Sequence, residues 1–76
     1  MAKQYRLTAS YNESLTAEQE DSLYGYDEIC RTKAEAIAAA KDRTKRFNEK
    51  FNTDFRWQDI VCIELQYLDE YGDIID

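Results

Sequence analysis

A chain of 76 residues with a net charge of −6 has room for one small domain, and residues 1–76 are read as a single one. A domain this short buries roughly 60–65% of its unfolded surface, so its core is small and its stability marginal. The acidic total argues against a general nucleic-acid binder and against an anionic membrane surface, since both depend on positive charge.

The stretch QYRLTASY alternates, with Tyr5, Leu7, Ala9 and Tyr11 on one side and Arg6, Thr8 and Ser10 on the other. This is the pattern of a half-buried strand. NESLTAEQED follows as a polar, acidic connection, in which Thr16 and Gln19 have the spacing to cap one short helical turn. No apolar stripe is evident there to hold a longer helix. LYGYDEIC predicts a second strand over residues 24–30, with Gly25 marking a bulge.

A helix is predicted from about Lys33 to Phe51. Thr32 and Glu35 form a T-x-x-E capping box, an alanine-rich run follows, and Asn52 is a plausible stop. Ala34, Ile37, Ala38, Thr44, Phe47 and Phe51 fall near one stripe at helical spacing. Lys33, Asp42, Arg43, Lys45, Arg46, Glu49 and Lys50 lie opposite.

RWQDIVCIELQYL predicts a third strand. Val61, Ile63, Leu65 and Tyr67 point at the helix, and Ile60, Cys62, Glu64, Gln66 and Leu68 alternate with them. DEYGDII reads as a turn centred on Gly72 and a short fourth strand at Ile74 and Ile75. The fold class is α+β: an antiparallel sheet of three to four strands in chain order β-β-α-β-β. Its spatial order is 2-1-3-4, and one long helix packs on one face.

The two cysteines, Cys30 and Cys62, make no disulfide framework. MAKQYRLTAS lacks the apolar core of a secretory signal, and no apolar run approaches a membrane span of ~20 residues. A cytoplasmic setting with two free thiols is expected. The absence of histidine removes histidine-based catalytic pairs and metal ligands, and two glycines cannot build a phosphate-cradling loop. DEYGD lacks the alternating ligands of a calcium loop. Neither an enzyme nor a metal or cofactor site is expected.

Binding is left. Residues 1–30 carry two basic and six acidic residues, residues 31–56 eight basic and four acidic, and residues 57–76 six acids and no base. The first expectation is a protein-binding, inhibitory module that meets a basic partner. It uses Tyr24, Tyr26, Asp27 and Glu28 on one sheet edge and Asp69, Glu70, Tyr71 and Asp73, with Asp76, on the other. Charges at these positions also protect sheet edges from pairing, and tyrosines also fill small cores. The alternative is nucleic-acid binding through Lys41, Arg43, Lys45, Arg46 and Lys50, or assembly as a homodimer through the open sheet face, with Ile60, Cys62 and Leu68 turned away from the helix.

EICRTKAEAIAAA followed by DIVCIELQYLDEYGDII resembles the strand-to-capped-helix step and return hairpin of small phage and mobile-element proteins. In size, charge and layout the chain is similar to several acidic anti-CRISPR proteins. The resemblance implies a small inhibitor that binds a bacterial defence complex and blocks its access to nucleic acid. It carries no residue roles.

Overall fold

The computed structural model describes residues 2–75, so Asp76 lies outside it. β1 (Ala2–Ala9), α1 (Ala17–Leu23), β2 (Asp27–Cys30), α2 (Lys33–Phe51), α3 (Trp57–Ile60), β3 (Val61–Leu68) and β4 (Ile74–Ile75) follow one another. The four strands form one antiparallel sheet in the order β2-β1-β3-β4, and α2 covers one face, as the sequence pattern predicts. No described helix is long and apolar enough to cross a membrane.

β1 is the spine. It pairs with β3 along its whole length, from Ala2–Leu68 to Ala9–Val61, and with β2 from Tyr5–Cys30 to Thr8–Asp27. Paired residues share a face. Tyr5, Leu7, Ala9, Cys30, Val61 and Ile63 therefore meet the helix, and all of them belong to or pack against the core. The strand stops at Ala9, so Tyr11 lies beyond it, half exposed.

α1 is a seven-residue helix rather than one turn. The Thr16 hydroxyl accepts from the Gln19 amide at 3.2 Å, and the Gln19 side-chain carbonyl accepts from the Thr16 amide at 2.9 Å. This is a reciprocal capping box. A buried stripe runs along it after all: Leu15, just ahead of the cap, then Gln19 and Leu23 in the helix, each four residues apart. Its middle member is polar, which hides the pattern in the sequence.

The predicted second strand begins three residues late. Tyr24 (φ −61°, ψ 132°) and Gly25 (φ 77°) are the central residues of a type II turn, closed by the Tyr26 amide donating to Leu23 O at 3.1 Å. Gly25 thus serves a turn and not a bulge, because that turn needs a left-handed residue at its third position.

α2 matches its predicted bounds. The Thr32 hydroxyl accepts from the Glu35 amide at 3.1 Å, and Asn52 closes the helix in the left-handed conformation (φ 53°). The Asn48 side chain then ties the following loop to the helix, donating to Phe55 O and accepting from the Phe55 amide and the Thr53 hydroxyl. The buried stripe is rotated from the predicted one: Ala36, Ala40, Thr44 and Phe47 are inside, while Ala34 and Ala38 are exposed. Alanine is small enough to serve on either side, so five alanines in seven residues do not fix the face. Thr44 donates its hydroxyl to Ala40 O and is buried without an unmet polar atom.

α3 is a single turn that the sequence pattern does not announce. It carries Ile60 into the core, fully buried, where the strand alternation would have turned it to the open face. Phe47 packs against Phe51 and Phe55 at ring distances of 4.8 and 5.7 Å, closing the core at this end.

The helix begins after Cys30, level with Tyr5, and runs back toward Ala9. It leaves the other end of the sheet uncovered. Leu65 and Tyr67, predicted under the helix, are 42% and 47% exposed.

Candidate partner-binding surfaces

The eight predicted contact residues that the structure describes form two separate clusters. Tyr24, Tyr26, Asp27 and Glu28 lie by the end of β1 at Thr8; Asp69, Glu70, Tyr71 and Asp73 lie beyond the end at Ala2. Six residues of strand separate these levels, roughly 20 Å, and the clusters sit on opposite edges as well. They are diagonal corners of the sheet.

In the first corner the residues divide by role. Asp27 accepts two hydrogen bonds from Arg6, at 3.0 Å from Nε and 2.7 Å from the terminal nitrogen. These bonds hold the Asp27 carboxyl below the usual carboxylate range and push Arg6 up. Asp27 is thus a neutralised acid on the open face. Tyr26 packs against the core, donates its hydroxyl to Glu28 at 3.0 Å, and has the Arg43 guanidinium 5.5 Å from its ring centre. Burial first, then the bond to Glu28, pushes its phenol above the ordinary tyrosine range. Tyr24 differs: it is 84% exposed, held outward on the type II turn.

Residues missed by the sequence reading complete this corner. Glu18, Glu20 and Asp21 are exposed on α1, off its buried stripe, directly ahead of Tyr24. The four-residue spacing of Leu15, Gln19 and Leu23 was the available signal, since it fixes which side of α1 is inside. Glu18, Glu20, Asp21 and Glu28 make no ion pair among the described residues.

In the second corner Asp69 is structural. Its carboxylate accepts from the Tyr71 and Asp73 amides, both at 2.9 Å, and its backbone closes the turn with Asp73 and Gly72. Glu70 and Asp73 are exposed, and Tyr71 is 82% exposed. Gly72 (φ 83°) supplies the turn's left-handed residue.

The basic residues of α2 do not make one patch. At 3.6 residues per turn, Lys41 and Lys45 fall in one row and Arg43, Arg46 and Lys50 in another, with Asp42 and Glu49 between them. Arg43 donates to Ser22 O at 2.8 Å, tying α2 to the end of α1, and Arg46 pairs with Asp42 at 3.3 Å.

The open sheet face carries Thr8, Cys62, Glu64, Gln66 and Leu68, together with Ile29 and Ile74. Two polar pairs cross it, Arg6 with Asp27 and Gln4 with Gln66 (2.8 Å), so it is less apolar than a homodimer face was expected to be. Cys62 is exposed on this face, whereas Cys30 is buried on the helix side, where burial pushes its thiol up. The two thiols lie on opposite faces of the sheet. Among the described residues no group of three potential metal-ligating side chains comes together.

No family model, curated protein or solved structure matches the chain.

Proposed function

We propose that this protein is an acidic binding module that engages a basic surface of a larger protein through the α1–β2 corner, and that it acts by occupancy rather than catalysis. The observation that carries this reading is Tyr24. It is 84% exposed and has no core role, and a type II turn carries it between exposed Glu18, Glu20 and Asp21 of α1 and exposed Glu28 of β2 along the chain. An exposed aromatic on a turn flanked along the chain by exposed acids suits an anchor within a charge-steered interface. A basic protein surface of this kind is commonly one that holds nucleic acid, so occupying it would inhibit nucleic-acid access. The layout resemblance to anti-CRISPR proteins points the same way, with a bacterial defence complex as the partner.

The test is affinity capture from bacterial lysate with the tagged chain and two variants. Tyr24→Ala, and Glu18→Lys combined with Asp21→Lys, should each lose the captured partner while keeping the wild-type melting temperature. Capture should also fall with added salt. If both variants retain the partner, this corner is not the working surface. The split basic rows of α2, with Arg43 and Arg46 already engaged, favour no nucleic-acid reading. A gel shift at low salt should show no retarded DNA or RNA.

A further inference from the structure

The sheet has a half-used edge. β3 pairs with β1 over its full length, but on its other side β4 covers only Tyr67 and Leu68. Over residues 61–65 the Val61 amide donates to Trp57 O, and the outward backbone groups of Ile63 and Leu65 have no partner among the described residues. The β2 edge is short and carries exposed Asp27 and Glu28, ordinary guards against strand addition. The open stretch of β3 has one charge, Glu64, and it lies on the face away from α2, opposite Arg6.

On the helix side this edge opens into a groove of about 600 Å³, walled by Tyr5, Ile37, Trp57, Ile63 and Leu65. Lys33 is the one charged side chain in its lining. Lys3, paired with Tyr67, stands on the same face further along. In a chain of net charge −6, this groove is therefore apolar with a positive rim.

We propose that this edge receives an extended segment of another protein as an added strand alongside residues 61–65. Alternate side chains of that segment enter the groove. They are apolar over Ile63 and Leu65, with a carboxylate facing Lys33. The backbone supplies hydrogen bonds and the groove supplies selectivity, as in other strand-addition complexes. The added strand is about five residues long, because β4 blocks the edge beyond.

A second copy fits this edge poorly. Antiparallel pairing of two β3 strands centred on Ile63 sets residue 59 of one copy opposite Tyr67 of the other. Tyr67 is already paired with Ile75, and residue 59 belongs to α3.

The experiment is selection of a random seven-residue phage-displayed peptide library against the purified protein. Selected peptides should alternate apolar residues and carry an acid. On binding, a synthetic copy should shift the backbone amide signals of Cys62, Ile63, Glu64 and Leu65. Leu65→Lys should lose these peptides with its melting temperature unchanged. The same selection on Lys33→Glu should turn the preference from acidic to basic peptides. No enriched pattern, amide shifts confined to other elements, or a preference that ignores position 33 would each overturn the proposal. So would a monodisperse dimer with residues 61–65 protected from hydrogen exchange, which would make a second copy the occupant.

Discussion

Around Leu7, Ala9 and Val61 the sheet is roofed by α2, flanked by α1 and α3, and sealed by the Phe47–Phe51–Phe55 cluster. Around Lys3, Leu65, Tyr67 and Ile75 the same strands continue past the helix, with large apolar side chains facing solvent. Both ends alternate in the same way along β1 and β3, so the difference lies in what covers them. The molecule is 44 Å in its longest dimension and 15 Å in its shortest, as expected when part of the sheet extends beyond its layer. The buried apolar core lies at the roofed end, which leaves the exposed helix-side residues of the bare end, Leu65 and Tyr67, free to change, or to bind, at little cost to the fold.

The sharpest way to break this comparison is a pair of truncations. Phe47 is 1% exposed, and Phe47→Ala should cost about 3–5 kcal/mol. A marginal domain loses most of its folded population at that cost. Leu65→Ala at the bare end should cost under about 1 kcal/mol. Urea unfolding of both variants checks the contrast, and equal losses would mean that the bare end is covered in solution.

A smaller effect tests how the roof is held on. Thr32→Ala and Thr16→Ala each remove a cap oxygen and should each cost about 1 kcal/mol. Because α1 and α2 both pack on the roofed end, hydrogen exchange in either variant should quicken there before it quickens in residues 65–68.

The sequence made the sheet order and α2 legible because strand alternation and helix capping are local signals. Thr32, Asn52, Gly72 and the Val61–Leu68 alternation carried that information. Other features, beside α3 and the turn at Gly25, were not legible. α1 was hidden because its stripe runs through Gln19, whose carbonyl is needed by the cap. The face of α2 was ambiguous because alanine fits both sides. The exposure of Leu65 and Tyr67 depends on where α2 begins along the strands, and that is a tertiary fact. Of the predicted contact residues, Tyr24 and Tyr71 stand free. Tyr26, Asp27, Asp69 and Arg43 are held by hydrogen bonds that composition and spacing do not reveal.

The smallest expected effect compares the two polar pairs on the open face, one toward each end. Asp27 accepts from Arg6 at the roofed end, and Gln4 donates to Gln66 at the bare end. The pairing with Arg6 lowers the Asp27 carboxyl below its value in the unfolded chain, about 3.9. A lowered folded value means the charged carboxylate adds stability above the unfolded value, and that contribution is lost as pH falls through the folded one. Asp27→Asn should therefore be less stable than wild type at pH 7. The gap should narrow on acidification below about pH 4 and close once Asp27 is protonated in the fold. Added salt should also shrink it, since both side chains are exposed. Gln66→Ala removes a neutral pair, and its deficit should stay level across the same range. Urea midpoints at pH 7 and pH 3, with and without salt, separate the two. A level gap for Asp27→Asn would mean that the geometry of the contact, rather than its charge, fixes β2 against β1.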